Sequence, residues 1–376
     1  MMKTLLVIID GLGDDKIADF GNKTVYEYAK HPNLDRIATN GFCSSLSIAQ
    51  KDFLPESLAC TLRILGLEQK EFPTNRAYME LLANGKDISE FEMVLRCNLV
   101  SIDQQGCLHS FNGEGLSKNE INEITNIANE YRSNIEFIHL SDYRNLLILD
   151  KKEDVLREAM IKPPHESIGE NIVELLNDLR EKSLVIADFI DATEKRLAKF
   201  ARKEFTYLFY PWGPAEREQL KSFEERYQRT GAVVCKAEII RGIALALGLT
   251  IMDLKQATGE TDTNLLEKAQ QTISALQSHD FVFTHFNGTD EAAHRYDYRE
   301  KAAFVERIDR EFFAFLLNNW HEPVKILVCA DHATSSLSGK HTRDKVPCIA
   351  ATLNYKEKIT VFKDYHDIKN FLFARR

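Results

Sequence analysis

A chain of 376 residues, 44% of them hydrophobic and 28% charged, can bury enough surface for two domains and shows no bias toward disorder. Its 57 acidic residues against 48 Lys and Arg give a net charge of -9, which disfavours nucleic acid as a general partner but allows a small anionic substrate at a local cluster of cations and metal; no nucleic acid partner is expected. Its 7 cysteines are scattered without a CxxC pair, and no apolar run is long enough to span a membrane; free thiols in the reducing cytoplasm, no leader segment and no membrane association are expected.

The chain opens on an apolar run, Lys3 to Ile9, that ends in Asp10-Gly11-Leu12-Gly13. A short run that is apolar on both faces predicts a buried parallel strand, and the glycines after it predict a tight turn at the sheet edge where α/β sites form. From about Phe72 the strands are shorter and separated by polar turns: Met93 to Ile102, Ile135 to Leu140 and Leu146 to Leu149. Residues 72–202 are therefore read as an inserted, smaller α+β domain, with 1–71 and 203–376 forming the core. Phe205 to Tyr210 reads as the return to the core sheet. Beyond it, strands at Phe281 to Phe286, Val324 to Ala330 and Val346 to Thr352 alternate with helical patterns at Thr263 to Gln277 and Ala302 to Leu317. The expected fold is α/β, a mainly parallel sheet with helices on both faces.

Three of these strands lead into acids or an acid–histidine pair: Asp10, then Asn287-Gly288-Thr289-Asp290, then Asp331-His332. Asp290 and His294 have the i, i+4 spacing that puts two side chains on one helix face, where they can share an ion, and His341 lies in the loop before the Val346 strand. Singly, each has a plain structural reading, as a cap, a turn residue or a surface histidine. Together they predict a metal site, and the mixture of carboxylate and imidazole suits Mn²⁺ or Zn²⁺, with Mg²⁺ or Co²⁺ as alternatives. Two ions about 4 Å apart can clamp a phosphoryl group and activate a nucleophile.

At these residues the sequence resembles the cofactor-independent phosphoglycerate mutases of the archaeal type, members of the alkaline phosphatase superfamily. The matching segments include Ile9-Asp10-Gly11, His31-Pro32-Asn33-Leu34-Asp35, Pro55-Glu56-Ser57, Arg96-Cys97-Asn98, Tyr143-Arg144-Asn145, Pro164-His165-Glu166, Pro211-Trp212-Gly213, Asp290-Glu291-Ala292-Ala293-His294 and Asp331-His332, and they span most of the chain. The resemblance implies an alkaline-phosphatase-like core and a cytoplasmic glycolytic isomerase. Such an enzyme interconverts 3- and 2-phosphoglycerate through a phosphoserine, without 2,3-bisphosphoglycerate. It implies that Ser57 is the nucleophile and, with Asp10, Asp331 and His332, surrounds one ion, while Asp290, His294 and His341 hold the other. Arg96, Asn98, Arg144 and His165 would bind substrate, and Arg76 is a further candidate; guanidinium forks match carboxylate and phosphate. The plain alternative for Arg96 is pairing with a neighbouring acid such as Glu92.

The chain departs from the family pattern beside the nucleophile. Glu56 and Leu58 stand where the family carries Gly and Asp, and Asn287 where its archaeal branch carries Lys. These changes keep a metal-dependent phosphohydrolase or phosphomutase on another small phosphorylated substrate open as an alternative, and a non-catalytic metal-binding module as a third reading. Oligomeric state is not readable from the sequence, and a homo-oligomer is compatible with it.

Overall fold

The computed structural model describes residues 2–48, 55–131, 134–152, 156, 161–357, 359 and 361–374. The chain divides into two compact units, Met1–Phe72 with Leu220–Arg376, and Pro73–Gln219. No helix among the described residues is long and apolar enough to cross a membrane.

The first unit is built on a seven-stranded sheet in the order Gly41–Leu46, Val346–Leu353, Val324–Cys329, Lys3–Ile9, Phe281–Phe286, Gly231–Val234, Thr250–Ile251. The five strands from Val324–Cys329 to Thr250–Ile251 run parallel, whereas Val346–Leu353 is antiparallel to both its neighbours. Lys3–Ile9 lies at the centre, and its residues 5–9 are fully buried, which is why this strand is apolar without alternation. Its register with Phe281–Phe286 and Val324–Cys329 brings three strand ends to one edge, so Asp10, the Asn287–Asp290 turn and Asp331-His332 converge.

Asn264 caps the helix Leu265–Ser278 by accepting from the Glu267 amide. The helical stretch expected at Ala302 to Leu317 is instead Tyr298–Arg307, a π-helical Ile308–Phe313 and Ala314–Asn319. Within the π segment, buried Asp309 accepts from the backbone amides of Asn33 and Leu34 at 3.2 and 2.8 Å and from the Asn33 side chain at 2.9 Å. The His31-Pro32-Asn33-Leu34-Asp35 motif therefore serves structure: it offers the free amides of the helix Pro32–Thr39 to a carboxylate from elsewhere in the chain.

The second unit is an antiparallel sheet of Leu108–Ser110, Glu92–Asp103, Arg144–Asp150 and Ile135–Ser141, with Phe205–Glu216 along the other side of Glu92–Asp103. The helices Lys118–Asn129, Ile172–Lys182 and Leu184–Leu197 supply buried residues to its core, among them Ile127, Leu176 and Phe189. The expected return of Phe205 to Tyr210 to the core sheet is thus corrected. That segment opens a strand of the second unit, and the second crossing between units falls at 219/220 rather than at 202/203. All 7 cysteines are free; Cys43 is exposed, Cys107 half-buried and the other five buried.

Candidate metal centre

The centre is assembled from four places on the sheet edge of the first unit. Asp10 follows the central strand, and its amide extends the ladder by donating to the Phe286 carbonyl at 2.9 Å. Gly11 then turns with φ +63°, and a Cβ there would lie 2.7 Å from both Asp290 Oδ1 and Thr334 Oγ1, so only glycine fits. The short helix Gly288–His294 carries Asp290 and His294, and Thr289 donates its hydroxyl to the Asp10 carbonyl. Asp331 accepts from the His332 amide at 3.1 Å, and a two-residue pairing of Ala333–Thr334 with His341–Thr342 carries His341 to the same place.

The seven residues expected to form the centre do come together. His294 Nε2 lies 3.1 Å from Asp290 Oδ2 and 3.1 Å from His341 Nε2, and His341 Nε2 lies 3.5 Å from Asp290 Oδ1. His332 Nε2 lies 3.4 Å from Asp10 Oδ1 and 3.6 Å from Asp331 Oδ2. Ser57, the first residue of the helix Ser57–Ile64, places Oγ 3.2 Å from His332 Nε2.

These donors fit divalent ions on three grounds. Neighbouring ligands of a tetrahedral ion with bonds of about 2.1 Å stand about 3.4 Å apart, which is the spacing seen here. The Nδ1 atoms of His294 and His341 each face a backbone carbonyl, Gly339 and Pro55, at 2.8 Å; as donors to those oxygens they turn both Nε2 atoms inward, where each could ligate a cation once deprotonated. Buried Asp10 Oδ1 and Asp331 Oδ2 have no hydrogen-bond partner among the described residues. One ion would be held by Asp290, His294 and His341, and the other by Asp10, Asp331, His332 and Ser57.

The protonation pattern points the same way. Burial, with the charges of Asp331 and Asp290, raises the Asp10 carboxyl well above the ordinary range, so the carboxylate cluster is short of cations. Burial also opposes ionisation of Asp290, but hydrogen bonds from His294 and His341 outweigh it and hold that carboxyl well below its ordinary value. The Asp290 hydrogen bond, against burial, raises His294 to about 9. Burial lowers His332.

A sequence profile of the metalloenzyme superfamily matches residues 2–369. A 2,3-bisphosphoglycerate-independent phosphoglycerate mutase of Methanosarcina barkeri is 30% identical over 361 residues, covering 92% of this chain and 89% of the relative. Another, of Methanopyrus kandleri, is 30% identical over 371 residues, covering 92% and 86%. The chain belongs to this phosphoglycerate mutase family of the metalloenzyme superfamily. Two solved structures share the fold at lower identity. The PH0037 protein of Pyrococcus horikoshii has a TM-score of 0.75 at 23% identity, covering 99% of this chain and 96% of that one. A cofactor-independent phosphoglycerate mutase of Thermoplasma acidophilum has a TM-score of 0.59 at 18% identity, covering 99% of each chain.

The family's substrate candidates lie in the second unit, gathered near Trp212. The Arg96 guanidinium stacks 4.2 Å above the Trp212 ring and places Nε 2.9 Å from Glu80 Oε2; its acidic partner is Glu80, not Glu92. Arg76 holds the other oxygen of Glu80 at 2.8 Å. Asn98 accepts from Trp212 Nε1 at 3.0 Å, and in the strand register it stands opposite Arg144, which binds the Ser141 hydroxyl at 2.9 Å. The His165 ring stands edge-on to Trp212 at 6.3 Å. Burial lowers His165, with Arg96 and Arg76 adding to the effect, so this is a crowded basic patch suited to an anion.

Some functional candidates have no sequence signal of their own. Thr334 donates to Asp290 Oδ1 at 2.5 Å and sits 3.2 Å from His332 Nδ1. Buried Lys301 binds Asp14 at 2.7 Å and the carbonyls of Gly13 and Thr334, tying together the loops that follow two strands. Nothing in the sequence marks Thr334, or singles out Lys301 among the other lysines. Buried His285 faces Asp10 at 3.3 Å from within an apolar strand.

Proposed function

We propose that this chain interconverts 3- and 2-phosphoglycerate through a phosphorylated Ser57, as a cytoplasmic glycolytic isomerase that needs divalent metal and no 2,3-bisphosphoglycerate. The observation that carries this reading is the half-buried Ser57 hydroxyl, held 3.2 Å from His332 Nε2 at the edge of a donor set of three buried carboxylates, buried His332, half-buried His341 and exposed His294. Mn²⁺ or Zn²⁺ bound there would offset the carboxylate charge and stabilise the negative charge of the serine alkoxide and the phosphoryl oxygens.

In the first transfer Ser57 Oγ bonds to phosphorus, the ester bond to one glycerate oxygen breaks, and that oxygen leaves as a hydroxyl with the proton Ser57 gave up. In the second, the other glycerate hydroxyl takes the phosphoryl group and Ser57 recovers its proton. Ser57 opens a helix, so the free amides of that first turn add favourable dipoles for a phosphate. Arg76, Arg96, Asn98, Arg144 and His165 are assigned the carboxylate and phosphate of the substrate.

Turnover tests this directly. Metal-loaded protein given 3-phosphoglycerate should feed a coupled enolase; silence where a known mutase gives signal overturns the reading. Among the substrate residues Arg144 is the cleaner probe. Arg96 also pairs with Glu80 and stacks on Trp212, so its loss disturbs the second unit. Arg144→Ala should lower kcat/KM by about 10- to 100-fold, the worth of a charge-assisted hydrogen bond, while Tm changes little. Unchanged kinetics would remove Arg144 from the substrate site.

A further inference from the structure

We propose that Lys301, paired with Asp14, is a positioning residue for both ion sites: it locks together the two loops that carry most of the donors, and both ions bind more weakly without it. The proposal rests on the metal reading of the centre and extends it to a residue outside the donor set.

One loop follows the central strand and carries Asp10; the other follows Val324–Cys329 and carries Asp331, His332 and His341. The two loops touch. The Thr334 amide donates to the Gly13 carbonyl at 3.0 Å, and a Cβ on Gly13 would lie 2.6 Å from the Ala333 Cβ. Asp14 accepts from the Ser336 amide at 2.8 Å and from the Ser336 hydroxyl, and Asp15 accepts from the Ser335 hydroxyl. Inside the second loop, the Ser335 amide donates to the Lys340 carbonyl at 2.9 Å and the Gly339 amide to the Ser335 carbonyl at 2.8 Å. The Gly339 carbonyl in turn faces His294 Nδ1. A shift of residues 334–336 is therefore passed to His332 and His341, and to the orientation of His294.

Lys301 belongs to neither loop. It comes from the helix Tyr298–Arg307, and its side chain and that of Asp14 are both fully buried. Its Nζ reaches Asp14 Oδ2 at 2.7 Å, the Thr334 carbonyl at 2.8 Å and the Gly13 carbonyl at 3.2 Å. An ammonium has three donors, and these three acceptors use them all. An apolar pair of similar volume would fill the space without the desolvation that two buried charges incur. It could not hold a carboxylate and two carbonyls from separate loops at one point. The donor atoms of the centre stand 3.1 to 3.6 Å apart, so small loop shifts spoil their geometry for an ion.

Titration of the stripped protein with Mn²⁺, with free Mn²⁺ read by its electron paramagnetic resonance signal, tests this. Lys301→Met, which keeps the length of the side chain and removes its charge, should weaken both equivalents by about 10- to 100-fold, at a temperature where circular dichroism shows the variant folded. Charge alone predicts the opposite, because deleting a cation beside a carboxylate cluster favours Mn²⁺. Weakening is thus a readout that loss of position gives and loss of charge does not. A lower Tm with unchanged or tighter Mn²⁺ binding would make the pair purely structural and overturn the proposal; weakening of one equivalent alone would overturn its claim on both sites. A wild type that does not bind two Mn²⁺ would instead overturn the metal reading beneath it. If Lys301→Met does not fold, Lys301→Gln, neutral but still an N–H donor, takes its place with the same outcomes.

Discussion

Ser57→Ala should abolish turnover, with a loss of about 10³-fold or more, while the protein keeps its fold and most of its metal affinity. Ser57 opens a helix and places its hydroxyl 3.2 Å from His332 Nε2, whereas the Thr334 hydroxyl lies 3.2 Å from the other ring nitrogen, Nδ1, and donates to Asp290. Removing a covalent nucleophile eliminates the two-step route itself, which is why the effect exceeds that of losing a positioning contact. The protein-side contribution of Ser57 to the metal is small beside that of Asp10, Asp331 and His332, so metal content measured after dialysis should change little. The fold should also hold, because Leu58, Cys60, Leu62 and Ile64 of the same helix, not Ser57, are buried in the core. Activity of Ser57→Ala within about tenfold of wild type would transfer the chemistry to water and favour the phosphohydrolase alternative.

Stripping the metal should lower Tm by roughly 5–10 °C at neutral pH, and the gap between loaded and stripped protein should widen as pH rises to about 9. A ligand present far above its dissociation constant stabilises the folded state by about 4 kcal/mol, and each kcal/mol is worth a few degrees in a chain of this size. The pH dependence follows from His294, whose folded-state value is raised to about 9 by Asp290. A raised value gives the stripped protein a stabilisation that is full below about 6.5 and is lost as pH climbs through about 9. Asp10, also raised, acts with the same sign. His332 is lowered by burial, and burial also drops His285 to about 4, so both are neutral in either state above about 7 and do not alter the trend. In the loaded protein the cation takes the place of these protons, and its grip strengthens as His294 deprotonates. Thermal unfolding with and without chelator at pH 7 and pH 9 checks this; a gap that stays flat or narrows would contradict the cation-for-proton exchange at His294.

The candidate metal ligands were legible because each sits where sequence and geometry coincide. Asp10 and Asp331-His332 directly follow unbroken apolar strands, and parallel strands of one sheet necessarily end on a common edge. Asp290 and His294 were paired by helical spacing alone. Ser57 was not legible in this way: its neighbours Glu56 and Leu58 carry no spacing signal, and only the family resemblance marked it. His285 was hidden because period-2 and run-length patterns register it as one polar interruption of an apolar strand, and burial is what makes it notable. Phe205 to Tyr210 was recognised as a strand but given to the other sheet. Hydrophobic pattern reports that a strand is buried on both faces, not which strand it pairs with, and here its partner is Glu92–Asp103 across more than a hundred residues. The π segment Ile308–Phe313 escaped for a similar reason, since one widened turn shifts the apolar stripe too little to read.

The most direct test of a phosphoryl shuttle at Ser57 is a ³¹P NMR time course of metal-loaded protein with 3-phosphoglycerate as the sole phosphorylated compound. The 2-phosphoglycerate resonance should grow to an equilibrium mixture with no inorganic phosphate beyond a trace, and Ser57→Ala should leave the spectrum unchanged. Release of inorganic phosphate in place of 2-phosphoglycerate, or an unchanged spectrum where a known mutase equilibrates the same sample, would contradict it.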